Sequence, residues 1–278
     1  MTRAPPPDVA GSSRSGTALR RVTRWQHGVA ESRVDALAEE VPIAVYCNGR
    51  PFAVMLASPS DLEDFARGFA LTERLVDSLQ DIVDIAISRR IDAIEIALTI
   101  SERCAARLVD RPRAFEGRSG CGICGTREVD ELLGLPPRSG NPVSIAAVAL
   151  RAALERLPIE QPLNQITGAM HAAAWCDVGG SLCHLREDVG RHNALDKLIG
   201  ALLLERTDLS RGFVLLTSRA SYEMVMKSAR AGIGLLVAVS APTALAVSLA
   251  DSAGITLIGF ARGADCTVYT HSQRYIAP

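Results

Sequence analysis

The chain is predicted to be an α/β protein, and three features of the sequence predict it. The second half alternates short, near-continuous apolar runs with stretches of helical periodicity, the pattern of a parallel sheet covered on both faces. The first half pairs apolar runs around an Asn-Gly turn and adds one amphipathic helix, which is an α+β texture. Between them, residues 117–128 read Gly-Arg-Ser-Gly-Cys-Gly-Ile-Cys-Gly-Thr-Arg-Glu, too rich in glycine to belong to either half. The expected division is a disordered tail over 1–18, a smaller N-terminal α+β domain over 19–116, a mobile Gly-rich Cys-x-x-Cys loop with a linker helix over 117–140, and an α/β domain over 141–278.

Composition narrows the function classes. Of 278 residues, 48% are hydrophobic and 22% charged, ordinary for a soluble globular protein with a sizeable core. A formal net charge of −1 argues against a broad nucleic-acid footprint. No apolar run is long enough to span a bilayer, and the start, Met-Thr-Arg-Ala-Pro-Pro-Pro, lacks the apolar core of a secretion signal. Seven cysteines, an odd number, are not spaced as a disulfide scaffold. A reducing cytoplasm is the expected location, and there a Cys-x-x-Cys loop stays chemically available.

In chain order, the mixed Pro, Ser, Gly and Arg of the first 18 residues predict disorder. Residues 41–56 form a hairpin around Asn48-Gly49, a dipeptide that tolerates positive φ. Ser58-Pro59-Ser60-Asp61 starts a helix to about Val76, with Leu62, Phe65 and Phe69 on its core face. Strands follow at 82–88 and 93–100, then a helix around 101–109. Past the Pro/Gly joint at 135–142 come a helix over 143–157 and a hairpin of 170–176 with 181–185. A helix opened by the run from Arg186 then extends to about Arg206. Strands at 213–217, 235–240 and 255–260 alternate with helices at 221–231 and 242–253, and a last strand, 266–269, adds at an edge.

Two groups of residues carry chemistry. Cys121 and Cys124 are flanked by Arg118 and Arg127 and precede a helix start near Thr126, and cations and a helix N-terminus both favour the nucleophilic thiolate. The competing readings are half of a structural zinc site and a pair of idle cysteines; no second short-spaced pair supplies the other zinc ligands, so no metal ligand is assigned. The second group lies where ligands bind in such sheets, beyond the carboxyl ends of the strands. There stand Thr217-Ser218-Arg219, Ser240-Ala241-Pro242-Thr243 and Phe260-Ala261-Arg262-Gly263, with Pro242 suited to a first helical position. Arg186, Glu187, Asp188, Arg191 and His192 add polar density. Taken as a set these residues predict a site for a phosphorylated or nucleotide-bearing ligand. An ion-pair network with ordinary helix caps is the alternative, and His192 alone could be a packing histidine.

The segments at 118–125 (Arg-Ser-Gly-Cys-Gly-Ile-Cys-Gly), 167–173 (Thr-Gly-Ala-Met-His-Ala-Ala), 187–197 (Glu-Asp-Val-Gly-Arg-His-Asn-Ala-Leu-Asp-Lys), 218–227 and 259–263 together resemble the FdhD family, the accessory sulfurtransferases of formate dehydrogenase. The resemblance covers nearly everything after the tail. It implies a relay in which a cysteine desulfurase delivers sulfur, Cys121 carries it as a persulfide with Cys124 as partner, and the molybdenum cofactor in its bis-molybdopterin guanine dinucleotide form receives it, with GDP as a mimic. Formate dehydrogenase then becomes active. It further implies a homodimer and a cofactor-binding segment at Phe260, Ala261, Arg262, Gly263, Ala264 and Asp265, beside Ser218, Arg219 and His192. The family pattern has an Asp-Arg pair where this chain has Ala264-Asp265, which leaves Arg262 as the expected phosphate contact.

The order of elements in 141–278 is also similar to the cytidine-deaminase-like three-layer fold, to which that family is related. Zinc deaminase chemistry is excluded by residues: Ala194 stands where the general acid/base Glu belongs, and Ser218-Arg219-Ala220-Ser221 lacks the two thiolates. Two rivals remain: a cytoplasmic thiol–disulfide oxidoreductase using the Cys-x-x-Cys, and a non-catalytic molybdenum-cofactor chaperone that keeps the pocket without a reactive thiol.

Overall fold

The structure, a computed structural model, describes residues 15–108, 137–138 and 142–277. Cys121 and Cys124, with the loop and linker helix expected around them, lie outside the described residues, as does the tail up to residue 14.

The described chain begins with an element the sequence pattern did not announce. Strands β1 (Thr17–Gln26) and β2 (Val29–Ala38) pair antiparallel in a ribbon of two strands, whose first two residues fall inside the stretch expected as tail. The turn is His27-Gly28, both at positive φ. Arg20, Arg21, Arg24, Glu31, Arg33 and Asp35 break up any apolar run, which is why hydropathy alone misses the ribbon.

The next unit is a four-stranded sheet in the order β4-β3-β6-β5, built from β3 (Val41–Cys47), β4 (Arg50–Ala57), β5 (Ile82–Arg89) and β6 (Ile94–Ile100). Asn48 and Gly49 take φ of 46° and 75°, the turn the dipeptide predicts. Helices α1 (Leu62–Thr72) and α2 (Glu102–Leu108) are its helical elements; α1 ends earlier than Val76 because Arg74 turns left-handed, at φ 61°. Phe65 and Phe69 of α1, with ring centroids 5.4 Å apart, pack into a core with Ile43, Val45, Ile96 and Leu98.

The larger unit is a three-layer sandwich. Its six-stranded sheet runs β13-β12-β11-β10-β8-β9, and only β10, β11 and β12 are parallel. The strands are β8 (His171–Asp177), β9 (Leu182–Asp188), β10 (Gly212–Leu216), β11 (Leu235–Ala238), β12 (Thr256–Arg262) and β13 (Asp265–Val268). One face is covered by α5 (Arg191–Leu204), α6 (Tyr222–Arg230) and α7 (Ala244–Ala253), through Leu195, Leu198, Met224 and Leu249. The other is covered by α3 (Ala147–Arg156), whose Ala149, Leu150 and Ala153 meet Ala174, Phe213 and Leu215. A short parallel pair, β7 (Ile145–Ala146) with β14 (Tyr275–Ile276), and a one-turn helix α4 (Pro162–Thr167) complete it.

Three sequence expectations change here. The run from Arg186 does not open a helix: Arg186–Asp188 finish β9, and α5 begins at Arg191. Pro242 is not a first helical residue; it bridges to Ala220, and Thr243 caps α7 by accepting from the Ala246 amide. The strand expected to end at Phe260 continues through Arg262, and the chain returns as β13 from Asp265.

The two units meet along α1 and α5, where glycines set the distance. A Cβ on Gly68 would stand 1.8 Å from the Asp196 carbonyl oxygen, and one on Gly200 would stand 1.9 Å from that of Asp64. The backbones therefore touch at both positions.

Candidate functional site

The carboxyl edge of the three parallel strands gathers the expected binding residues. β10 ends at Leu216 and passes into Thr217-Ser218-Arg219, with Ser218 buried and Arg219 exposed. Ser218 donates its hydroxyl to the Arg219 carbonyl at 3.0 Å, which ties down the turn. The segment after β11 joins this turn, because the Thr243 amide donates to the Ala220 carbonyl at 3.0 Å. It also joins β12, where the Phe260 amide donates to Ser240 O at 3.1 Å and Arg262 Nε to Val239 O at 3.4 Å. Ser218, Arg219, Phe260, Ala261 and Arg262 thus share one rim.

Within β12, Phe260 adopts φ 52°, a left-handed conformation that costs an aromatic residue energy, and the residue is 47% exposed. The pairing slips between Gly259 and Arg262, so Phe260 and Ala261 form a bulge. Ala261 is buried, whereas Arg262, Gly263, Ala264 and Asp265 are exposed at the hairpin tip, with Asp265 opposite Arg262 in register. That pairing sets an anion against the cation expected to meet phosphate.

His192, in the first turn of α5, is buried, and its Nε2 lies 3.5 Å from Glu223 Oε2 without a hydrogen-bond partner. Glu223 begins α6 and accepts from Ser221 Oγ at 2.7 Å. Burial pushes its carboxyl up, but the His192 ring and the Ser221 hydroxyl outweigh that and bring it down to about 2. His171, at the start of β8, contacts Thr217 Oγ1 at 3.5 Å; burial, and after it the Arg191 guanidinium and the His192 ring nearby, lowers its pKa and favours the neutral ring. This group of a buried histidine, a half-buried histidine and a half-buried carboxylate stands behind the exposed rim. Sequence reasoning singled out only His192 from it. The motif at 167–173 contains His171 and the one at 218–227 contains Glu223, but neither motif assigned them a role.

The other polar residues of the 186–197 run do different work. Glu187 accepts from the Leu163 and Asn164 amides, both at 2.8 Å, and so caps α4. Asp188 pairs with Lys197 at 2.7 Å, and Arg186 pairs with Asp64 at 2.7 Å. These are the ion-pair network and caps of the alternative reading. Among the described residues, one group of His, Cys, Asp and Glu is close enough to share an ion: Asp77, Asp81 and Cys104. Arg103 and Arg107 already occupy their ligand atoms.

A family model described as the FdhD/NarQ family matches residues 38–276. The chain belongs to the FdhD/NarQ family. A relative named sulfur carrier protein FdhD, from Xanthomonas euvesicatoria pv. vesicatoria, is 52% identical over 263 residues, covering 95% of this chain and 94% of its own. One of the same name from Cupriavidus necator is 49% identical over 269 residues, covering 96% and 93%. A crystal structure from Desulfotalea psychrophila, of a protein provisionally assigned as a formate dehydrogenase accessory protein, superposes with a TM-score of 0.73 over 94% of this chain and 99% of that one. At 23% identity this likeness speaks for the fold alone. The FdhD/NarQ match begins at the last residue of β2, so the ribbon lies outside what the family model describes, while the two relatives align with nearly the whole chain.

Proposed function

We propose that the protein is a sulfur carrier for formate dehydrogenase that takes sulfur from a cysteine desulfurase on Cys121 and hands it to a molybdenum cofactor in its bis-molybdopterin guanine dinucleotide form. The observation that carries this reading is the continuous rim made by Ser218-Arg219, Ser240–Thr243 and Phe260–Arg262, in a chain half identical to proteins named sulfur carriers. An exposed aromatic ring beside exposed arginines suits a nucleobase and its phosphates. The three-layer unit serves as a cytidine-deaminase-like scaffold in which the deaminase ligands have been replaced.

In the loading step the Cys121 thiolate attacks the outer sulfur of the donor persulfide. The donor's S–S bond breaks, its cysteine leaves as thiolate, and Cys121 holds a persulfide. Delivery breaks the new S–S bond: Cys121 leaves as thiolate and the outer sulfur is taken up by an acceptor that supplies the electron pair, the cofactor in a reduced state, bound as substrate. Cys124 stands two residues on as a second relay thiol or a resolving thiol. The protein acts in the cytoplasm; no helix among its described residues is long and apolar enough to cross a membrane.

Two measurements test the reading. After incubation with a desulfurase and cysteine, mass spectrometry should find one added sulfur on the peptide bearing Cys121. Arg262→Ala should weaken GDP binding about tenfold, the loss of one charge-assisted contact, and leave that loading unchanged. If Cys121→Ala still matures formate dehydrogenase, the chaperone reading replaces this one.

A further inference from the structure

We propose that His192 and Glu223 are positioning residues that set the affinity of the rim for its anionic cargo. While His192 carries a proton it cancels the charge of Glu223. When it gives the proton up, Glu223 is left as a bare anion behind the phosphate-binding residues and weakens their hold. This inference rests on the reading of the rim as a phosphate site and states how that site is tuned.

The geometry ties the pair to the rim. His192 Nε2 lies 3.5 Å from Glu223 Oε2, and the two side chains are 7% and 15% exposed. That nitrogen is buried without a hydrogen-bond partner, so the contact is one of charge. Glu223 stands just past the turn Ser218-Arg219-Ala220-Ser221 and accepts from the Ser221 hydroxyl at 2.7 Å, while Ala220 bridges to Pro242. The carboxylate therefore hangs from the segment that carries the rim. Burial opposes its charge, but the His192 ring, the Ser221 hydroxyl and its own amide prevail, and the last two act whether or not the ring is charged.

The ion pairs at the junction of the two units are built differently. Asp188–Lys197 at 2.7 Å and Asp196–Lys227 at 2.8 Å are closed by lysine, a cation that ordinarily keeps its charge through the neutral range, and further donors support each carboxylate. Beside the rim the cation is a histidine, the side chain whose charge changes near neutral pH. Among the described residues, the other charged or titratable groups around that ring are few. Arg191 on the same helix has its Nε buried without a partner. His171 on β8 is held towards its neutral form by burial, and Asp188, opposite it in register, is already taken by Lys197. Glu223 is thus the anion that His192 balances, and one unbalanced charge behind a partly solvated anion site changes affinity on the order of fivefold.

The test is calorimetric titration of the full-length protein with GDP at about pH 6 and about pH 8.5. The terminal phosphate of GDP gains charge over the same range, so each affinity is read as a ratio to that of the double variant His192→Gln/Glu223→Gln, in which the effect is the same. The wild type should match the double variant at the lower pH and bind about fivefold more weakly at the higher. His192→Gln should be about fivefold weaker at both, and adding Glu223→Gln to it should restore binding. Glu223→Gln alone should bind GDP more tightly than the wild type at the higher pH, a gain from removing an acid that lost packing does not produce; this arm decides the matter even where circular dichroism shows His192→Gln unfolded. A wild-type ratio that stays constant with pH, a His192→Gln defect that the second substitution leaves in place, or no gain from Glu223→Gln overturns the proposal and leaves the rim as a phosphate site. No binding of GDP by the wild type at either pH overturns the phosphate reading of the rim and this inference with it.

Discussion

A carboxylate taken out of water must be met by a cation or by several donors, and Asp188 has both. Lys197 Nζ lies 2.7 Å away with both side chains fully buried, and the amides of Ser58 and Gly190 and the Asn193 side chain donate to the same carboxyl. Asp196 is met likewise: burial pushes its carboxyl up, while the Lys227 ammonium at 2.8 Å and the Thr72 hydroxyl at 2.7 Å act the other way. Cys47 and Cys176 have no such partners among the described residues, and burial pushes Cys47 to about 11 and Cys176 to about 12. Neither can supply a thiolate near neutral pH, so desulfurase-dependent sulfur should not appear on either. Their effect on stability has a definite sign. Above the ordinary thiol value near 9, the unfolded chain has lost these protons while the folded chain keeps them, so stability falls as pH rises towards 11 and 12. Urea unfolding at about pH 8 and about pH 10 should show the loss, and Cys176→Val should reduce its slope.

At the level of elements, the crossing of α1 and α5 decides whether the two units fit. Gly200→Ala would drive a methyl group into the Asp64 carbonyl, and since the obstacle is backbone, only separation of the helices relieves it. We expect a cost of about 3 kcal/mol and a thermal midpoint lower by on the order of 10 °C, read by calorimetry. The sequence carried the periodicity of these helices and placed Phe65 and Phe69 in the core, and it anticipated the turn at Asn48-Gly49 and the alternating strands from Phe213 onward. It could not show that Gly68 and Gly200 face another helix, because a glycine in a helix looks like a weak position until its neighbour is known. The same holds for Asp188, whose partner Ser58 lies 130 residues away. Charged residues in series looked like a ligand site, but Arg186, Glu187 and Asp188 are taken up by protein partners. On the rim, the strand register around Phe260 and the depth of His171 and Glu223 depend on long-range pairing that local patterns do not encode.

For the molecule as a whole, the contacts between the two units are those of an interior. Lys227 reaches from α6 to Asp196, Thr72 and Glu73, and Arg230 donates to the Thr72 carbonyl. Lys197 donates to the Ser58 carbonyl at 3.0 Å, and Asn193 to that of Leu56 at 2.8 Å. Pulling the units apart would leave a buried lysine and a buried aspartate on each of two networks without part of their coordination, on top of the apolar surface of α1 and α5. Such a junction does not act as a hinge, so cargo transfer cannot depend on the units swinging against each other. It also couples their stabilities: the four-stranded unit loses the partner of α1 when the sandwich opens, and the sandwich loses a cover for α5. Calorimetry of the full chain should therefore give one transition with van't Hoff and calorimetric enthalpies equal. Two resolved transitions, or protection from hydrogen exchange lost in β3–β6 well before β10–β12, would show that the junction yields first and that the units move independently.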